Sequence, residues 1–317
     1  MKVVGEAELL ALLDDRSLVE RLREAFREGA HVPLRHGHSL PAPGGQGTLL
    51  LMPAWQMGRS LGVKVVTVFP GNAARGLSAV QAAYLWLDAE TGAPLALMDG
   101  AALTRRRTAA ASALAADYLA RRDSATLAMV GTGSLAPHLV AAHAAVRPIR
   151  DVRVWGRTPD KARALAASLD RPGLRVTAVT DLEAAVRGAD VVSCATLATL
   201  PLVRGAWLAQ GMHLDLVGGF TPEMREADDE AVRRSRVFVD TEAAFAEAGD
   251  VVQPLSSGLL RRDDVADLAD LVHARRPGRT ADAEITLFKS VGAALEDLAA
   301  AGLAYERLVC AAGGAGR

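Results

Sequence analysis

A glycine-rich turn between a strand-like and a helix-like segment constrains the fold of this chain most strongly. Residues 131–136 read GTGSLA, directly after the apolar run ATLAMV and before a helical segment over residues 137–145. In a GxGxxA turn the first glycine permits a tight bend, the second lets the backbone approach a pyrophosphate, and the alanine lets helix pack closely on strand. We therefore predict a dinucleotide site with these members: Gly131, Thr132, Gly133, Ser134, Leu135 and Ala136.

The turn belongs to a series of short apolar runs that alternate with helical segments. Such alternation is typical of right-handed βαβ crossovers and a parallel sheet. It predicts a doubly wound α/β domain of the Rossmann type over residues 119–287. Six strand-like runs support it, beginning at Ala125, Val152, Leu174, Ala189, Met212 and Arg236.

The chain before residue 119 has a different pattern. Its last two strand-like runs are joined by the short turn 89–92, which favours a hairpin, and an Ala-rich segment over residues 101–120 favours a helix. We predict an α+β domain with a mixed or antiparallel sheet over residues 1–118. A helical pattern from Glu284 is expected to cross back, so that residues 288–317 complete this domain. The four strand-like runs begin at Thr48, Gly62, Ala79 and Ala93.

The end of the second strand of the α/β segment indicates which dinucleotide is preferred. An acid there would bond the ribose hydroxyls of NAD, but the sequence at Gly156 continues with Arg157 and Thr158. Arg157 can stack on adenine and pair with a 2′-phosphate, assisted by Thr158 and Lys161. A solvated loop arginine is the alternative. We expect NADPH to be the preferred cofactor, with NADH also accepted.

The ends of two later strands are expected to flank the nicotinamide, because ligands of open α/β sheets bind at the carboxyl ends of the strands. These positions are Thr196 on the fourth strand and Val217 and Gly218 on the fifth, with Asp215 beside them. For Asp215 the alternative is a strand acid bonded to a neighbouring helix N-terminus.

Charge and composition argue against several classes of protein. The 36 Lys and Arg residues nearly cancel the 37 Asp and Glu residues, so no large basic field is available for nucleic acid. No run of about 18 uncharged apolar residues occurs, so we expect no membrane span. We expect a cytoplasmic location. The spacing of His31, His36 and His38 fits no metal-ligand pattern, nor does that of Cys194 and Cys310, so no metal is expected.

Several motifs together resemble the ornithine cyclodeaminase/mu-crystallin family along nearly the whole chain. They are MPAW, GVKVV, GAPLALMDGAALTRRRTAA, GTGSLA, GMHLDLVGGFTPEMREAD and FKSVGAALEDL. The resemblance implies that residues 1–118 form the substrate-binding and dimerisation domain, through which a homodimer forms. It also implies that Arg35, Lys64 and Arg107 bind a substrate carboxylate, with Lys64 the candidate catalytic residue as well. Arg105 and Arg106 are then interpreted as solvated helix positions.

Two departures from the cyclodeaminase branch bear on the reaction. Leu50 and Phe220 stand where cyclodeaminases carry a glutamate and an aspartate, and loss of ammonia by cyclisation requires a proton acceptor. The same positions are non-acidic in ketimine-reducing members of the family. The resemblance therefore implies an oxidoreductase that reduces a cyclic imino acid, Δ1-pyrroline-2-carboxylate or Δ1-piperideine-2-carboxylate, to L-proline or L-pipecolate.

Two alternatives remain open at this stage. One is an NAD-dependent ornithine cyclodeaminase or alanine dehydrogenase of the same family. The other is a non-catalytic protein that binds NADPH or a small ligand, as mu-crystallin does.

Overall fold

The computed structural model describes residues 1–42 and 45–314, and the chain divides into two compact units. Unit 1 comprises Met1–Arg107 and Ala293–Arg317, and unit 2 comprises Thr108–Gly292. The first division falls inside one Ala-rich helix, Gly100–Leu119, at the position where the sequence predicts a helix. Small alanine side chains favour the helical backbone there and allow close packing.

Unit 1 is built on a six-stranded mixed sheet. The strand order is β1-β6-β5-β4-β3-β2, with β1 parallel to β6 and the other pairs antiparallel. This confirms the predicted mixed sheet and the predicted hairpin of β5 and β6. The elements up to the division are β1 (Lys2–Val4), α1 (Glu6–Leu12), α2 (Asp15–Glu28), β2 (His36–Ala42), β3 (Gly45–Gln56), β4 (Ser60–Val68), a 3₁₀ helix (Pro70–Arg75), β5 (Val80–Leu87), β6 (Pro94–Asp99) and the start of α3 (Gly100–Leu119).

Unit 2 is built on an eight-stranded sheet whose pairs are all parallel, in the order β13-β12-β14-β11-β10-β7-β8-β9. The predicted doubly wound fold is confirmed. Its elements are β7 (Thr126–Val130), α4 (Ala136–Val146), β8 (Asp151–Trp155), α5 (Pro159–Leu169), β9 (Arg175–Ala178), α6 (Leu182–Arg187), β10 (Val191–Cys194), a 3₁₀ helix (Gly205–Trp207), β11 (His213–Leu216), α7 (Asp229–Arg234), β12 (Arg236–Val239), α8 (Ala244–Glu247), α9 (Gly249–Ser256), a 3₁₀ helix (Arg262–Asp264), β13 (Ala266–Asp267), α10 (Leu268–Val272) and β14 (Thr286–Lys289).

The prediction of one continuous helical pattern from Glu284 is wrong. Residues Thr286–Lys289 form β14, which is fully buried between β11 and β12, and the final helix α11 (Ala294–Gly314) begins only after Gly292. Gly292 has a φ of +82°, a conformation that interrupts the chain between strand and helix. A short apolar run buried on both faces has no periodicity that separates strand from helix. Unit 2 accordingly extends to Gly292, beyond the expected boundary at residue 287.

The two faces of the unit 1 sheet differ in their surroundings. Met52, Lys64, Tyr84 and Met98 lie side by side on four neighbouring strands, and all four are buried. Helix α11 packs against β3, β4 and β5, so the inner face of the sheet is covered.

In the part of the chain that the structure describes, no helix has both the length and the apolar character needed to cross a membrane.

Candidate functional site

The glycine turn of unit 2 has the geometry of a dinucleotide cradle. Gly131, directly after β7, has a φ of +123°, and a Cβ atom there would lie 2.5 Å from the carbonyl oxygen of Ala195. A Cβ atom at Gly133 would meet nothing within 4 Å, so this exposed backbone is open to approach. Ala136 is fully buried at the start of α4. These three positions match the three requirements of the fingerprint.

The beginning of α4 also suits a bound pyrophosphate. Its N-cap residue is Leu135, which offers no side-chain hydrogen bond to the first N–H groups of the helix. Such N–H groups and the helix dipole attract anions. Thr132 and Ser134 lie in the same turn, and a Cβ atom at Gly156 would lie 2.7 Å from Cγ2 of Thr132. The residues present therefore fit a dinucleotide.

The residues expected to select NADPH are in the turn after β8 and in the first turn of α5. Arg157, Thr158 and Lys161 are all exposed there. Thr158 is the N-cap residue of α5, but its side chain makes no capping hydrogen bond, so its hydroxyl is available to a ligand. Asp160 lies in the first turn of α5 and is paired with Arg163, which offsets its charge.

The expected nicotinamide-flanking positions lie at neighbouring strand ends. Thr196 follows β10, and Val217 and Gly218 follow β11, which pairs with β10. Asp215 does not lie exposed beside them. It is a buried strand acid, as the alternative interpretation had it, but a helix N-terminus as its partner is wrong. Asp215 is fully buried within β11, where it accepts a hydrogen bond from Ser193 (2.7 Å) and contacts His143 in the last turn of α4 (3.1 Å).

Two of the three predicted carboxylate-binding cations meet in unit 1. Lys64 on β4 is 3% exposed and donates a hydrogen bond to Oδ2 of Asp297 at 2.5 Å. Arg107 on α3 is 5% exposed and donates from Nε to Oδ1 of Asp297 at 2.9 Å and from Nη1 to Glu296 at 2.8 Å. This group of four charged residues, which we call the Lys64–Asp297 cluster, has two positive and two negative charges when all are ionised.

The electrostatics of the Lys64–Asp297 cluster follow from burial and from these pairs. Burial lowers the pKa of Lys64 to about 8, although Asp297 acts to raise it. Burial also opposes charge on Arg107 and Asp297, but their ion pairs outweigh it. The two carboxylates raise the pKa of Arg107, and the two cations lower the pKa of Asp297. All three side chains are therefore charged at neutral pH.

The other arginines differ in their surroundings. Arg35, just before β2, is half-buried and is not part of the hydrogen bonds that join Lys64 to Arg107. Arg105 pairs with Glu6. The expectation that Arg106 is solvated is wrong, because Arg106 is buried, pairs with Asp15 at 2.7 Å and donates a hydrogen bond to the Leu13 carbonyl oxygen.

Among the described residues, no group of three or more His, Cys, Asp or Glu side chains is arranged to hold a metal.

Comparison with known proteins decides the family. The model of the ornithine cyclodeaminase/mu-crystallin family matches residues 1–311. The chain belongs to this family. The Δ1-pyrroline-2-carboxylate reductase of Paracoccus denitrificans (strain Pd 1222) is 43% identical over 276 residues, which cover 84% of this chain and 87% of that one.

Solved structures of the ornithine cyclodeaminase/mu-crystallin type are similar over the whole length. That of the Thermococcus litoralis Δ1-pyrroline-2-carboxylate reductase in complex with NADH and L-proline has a TM-score of 0.92 and 36% identity, and 98% of each chain is covered. That of an archaeal alanine dehydrogenase dimer with bound NAD has a TM-score of 0.88 and 30% identity, over 98% of this chain and 96% of that one.

Three buried acids of this family member were not predicted from the sequence. Glu296 and Asp297 are adjacent acids in the otherwise apolar start of α11, and this charged pair in apolar surroundings is the signal that could have identified them. Glu226 is fully buried and accepts hydrogen bonds from Thr196 and Gly218. No local pattern distinguishes it from the other acids of the segment EMREADDE.

Proposed function

We propose that this protein is an NADPH-dependent oxidoreductase that reduces a cyclic ketimine carboxylate, with NADH also accepted. The substrate is Δ1-pyrroline-2-carboxylate, Δ1-piperideine-2-carboxylate or both, and the product is L-proline or L-pipecolate. The observation that carries the proposal is the similarity over 98% of the chain to a reductase solved with NADH and L-proline, at a TM-score of 0.92. The buried cations Lys64 and Arg107 suit a substrate that carries a carboxylate.

The proposed role of the cations is to bind and orient the substrate carboxylate. A planar guanidinium can take a carboxylate through two hydrogen bonds, and an ammonium adds a point charge. Arg107 and Lys64 serve in this way, and Arg35 is the third proposed contact. Because Asp297 and Glu296 hold both buried cations in place, little side-chain entropy is lost when the substrate binds.

The proposed cofactor site uses the glycine turn for the pyrophosphate and the end of β8 for the 2′-phosphate of NADPH. Gly131, Gly133 and the first N–H groups of α4 hold the pyrophosphate, while Arg157, Thr158 and Lys161 contact the adenosine end. The bound cofactor supplies a hydride to the imine carbon. Thr196, Val217 and Gly218 position the nicotinamide ring at the strand ends.

Proton supply does not require a dedicated carboxylic acid. The electrophile is the protonated iminium, so hydride addition at carbon gives the secondary amine directly. The substrate arrives protonated or takes a proton from water or from Lys64, whose pKa of about 8 leaves it mostly protonated at neutral pH. At the positions of the cyclodeaminase acids, Leu50 is half-buried and Phe220 is 52% exposed, and neither can accept a proton.

We further propose a homodimer formed through the outer face of the unit 1 sheet. Pro53, Val63, Leu85 and Leu97 lie side by side across β3, β4, β5 and β6, on the face opposite to Lys64. All four remain half-exposed, and such a row of apolar side chains supports an interface there. The similar archaeal alanine dehydrogenase is a dimer. A cytoplasmic location, where reduced nicotinamide cofactors are supplied, completes the proposal.

The decisive experiment is a steady-state assay of NADPH and NADH oxidation with five- and six-membered cyclic ketimine carboxylates. We expect turnover with at least one ring, faster with NADPH. Lys64→Ala should raise the free energy of the transition state by about 2–4 kcal/mol and so lower kcat/KM. Lys2→Ala is the surface control.

Other outcomes identify the alternatives. Ammonia release from ornithine without an external reductant would favour a cyclodeaminase, and reduction of pyruvate with ammonia would favour an alanine dehydrogenase. Tight NADPH binding without turnover of any of these compounds would favour a non-catalytic binding protein.

A further inference from the structure

A buried carboxylate joins two strand-end turns of unit 2. Oε1 of Glu226 accepts hydrogen bonds from the backbone N–H (2.7 Å) and the hydroxyl (2.8 Å) of Thr196, and Oε2 accepts one from the N–H of Gly218 (2.8 Å). Thr196 and Gly218 follow β10 and β11, which are adjacent parallel strands. A single side chain therefore fixes the spacing of the two turns expected to flank the nicotinamide.

The turn after β10 lies against the first glycine of the cofactor cradle, and the turn after β11 lies against the turn after β10. A Cβ atom at Gly131 would lie 2.5 Å from the carbonyl oxygen of Ala195 and 3.4 Å from Cγ2 of Thr196. A Cβ atom at Gly218 would lie 2.0 Å from the carbonyl oxygen of Thr196 and 2.6 Å from Oε1 of Glu226. No side chain fits at either glycine, so the turn held by Glu226 packs directly against the cradle.

The surroundings of Glu226 leave one negative charge in excess. Lys289 on β14 lies with its Nζ 3.3 Å from Oδ2 of Asp250 and 3.8 Å from Oε2 of Glu226, and all three side chains are buried. Asp250 also accepts hydrogen bonds from the N–H groups of Glu226 and Ala227. Burial raises the pKa of the neighbouring Cys194 thiol, which therefore stays neutral. Two carboxylates face one ammonium.

Oxidised nicotinamide carries a positive charge on its ring, and reduced nicotinamide does not. We propose that Glu226 is a positioning residue whose carboxylate holds the turns beside the nicotinamide and whose negative charge favours binding of the oxidised over the reduced cofactor. This inference rests on the proposed function, since it requires a nicotinamide at this edge of the sheet. Charge in a buried setting is weakly screened, so it acts on a ring beyond hydrogen-bonding distance.

The protonation of Glu226 makes this preference depend on pH. Burial raises its pKa to about 7, with Lys289 acting to lower it and Asp250 to raise it. Both carboxylate oxygens of Glu226 accept hydrogen bonds from backbone N–H groups. All of these bonds are made in full only when the carboxylate is ionised. As the pH falls through about 7, Glu226 loses its charge and one acceptor. The preference for oxidised cofactor therefore increases from acid to alkaline pH.

The test is binding of NADPH and NADP⁺ to the intact protein without substrate. NADPH fluorescence gives one dissociation constant, and displacement of NADPH by NADP⁺ gives the other. In the unmodified protein we expect the ratio Kd(NADPH)/Kd(NADP⁺) to rise about three- to tenfold between about pH 6 and about pH 9. Titration of the 2′-phosphate is common to both forms and cancels in the ratio.

Two variants separate positioning from general structure. Glu226→Gln should give a low ratio that does not change with pH, and Glu226→Asp, which keeps the charge, should retain the rise. Glu284→Gln is the matched control, because Glu284 also accepts a backbone hydrogen bond within unit 2, from Thr280, and should behave as the unmodified protein.

Three results would overturn the inference. A ratio independent of pH in the unmodified protein does so without any variant, even if Glu226→Gln fails to fold. Equal weakening of both nucleotides by Glu226→Gln, with the rise preserved, reduces Glu226 to a structural role. If the unmodified protein binds none of NADPH, NADP⁺, NADH and NAD⁺ in this assay, the proposed function is refuted as well.

Discussion

At Lys64, burial sets the pH range over which the side chain is a cation. Its pKa is lowered to about 8, so its charge is present below that pH and is lost above it. We expect kcat/KM for the ketimine to fall as the pH rises through about 8, because a neutral amine holds a carboxylate less well. Lys64→Arg should remove this alkaline limb, since a guanidinium stays charged. A pH profile of kcat/KM at saturating NADPH measures both, and identical limbs would contradict the assignment.

Asp297 compensates both buried cations of the Lys64–Asp297 cluster. Asp297→Asn should destabilise the fold by about 3–5 kcal/mol, because it leaves buried charge uncompensated. Since Asp297 raises the pKa of Lys64, the alkaline limb should also move to lower pH. Urea unfolding and the pH profile measure these effects.

The matched control for Asp297→Asn is Glu306→Gln on the same helix. Glu306 is exposed and pairs with Arg21, so its replacement should cost less than about 1 kcal/mol. Equal stability of the two variants would show that Asp297 does not compensate the cations.

Arg157 belongs to the proposed adenosine end of the cofactor site. Arg157→Ala should lower kcat/KM for NADPH by about tenfold or more, because a charge-assisted contact to the 2′-phosphate is worth about 1.5–3 kcal/mol. The value for NADH should change much less. Parallel assays with both cofactors give the ratio, and an equal loss for both would place Arg157 outside the phosphate contact. Arg171→Ala, beyond the end of α5 and also exposed, is the control.

Sequence pattern identified the residues of this site unevenly, for a physical reason. The glycine turn at Gly131 is recognisable because every requirement on it is local. Lys64 is recognisable as a charge within the apolar segment GVKVV, which is also a local feature. Its partner Asp297 lies 233 residues away, so only the packing of α11 on the sheet brings the two together. The fully buried Glu226 likewise depends on the packing of three segments that no spacing rule connects.

At the scale of elements, strands next to clear turns were predictable and β14 was not. Each strand from β7 to β12 is followed by turn or helix signals within a few residues, which fixed its identity. Strand β14 reads TLFK and joins α11 through a short connection, so the apolar pattern is continuous across both. Its position between β11 and β12 is set by tertiary pairing. Local propensity is a weak guide where such pairing decides.

The central position of β14 makes it a sensitive test of the sheet. Phe288 is fully buried, and Phe288→Ala should destabilise the protein by about 3–5 kcal/mol through lost burial and a cavity. Leu200→Ala, at a residue that is 77% exposed, should have little effect. Denaturant unfolding measures the difference. Backbone amides of β14 should also exchange among the slowest in unit 2, and rapid exchange there would contradict a central strand.

At the scale of the whole molecule, the outer face of the unit 1 sheet is the proposed surface for a second copy. Alternation along β4 places Lys64 inward and Val63 outward, so one strand contributes to the charged cluster and to the proposed interface. A charge introduced at the outward position 63 should leave the inward side chain of Lys64 in place. Val63→Asp should therefore yield a folded monomer, because an unpaired carboxylate would be buried in an apolar contact between two copies.

Light scattering coupled to size-exclusion chromatography measures the mass, and circular dichroism checks that Val63→Asp remains folded. Leu200→Asp is the control, since Leu200 is 77% exposed and belongs to unit 2, outside the unit 1 sheet. If the unmodified protein is a dimer and Val63→Asp remains one at micromolar concentration, the interface lies elsewhere. If Val63→Asp is a folded monomer that still binds NADPH, dimerisation through unit 1 and nucleotide binding by unit 2 are separable properties of the chain.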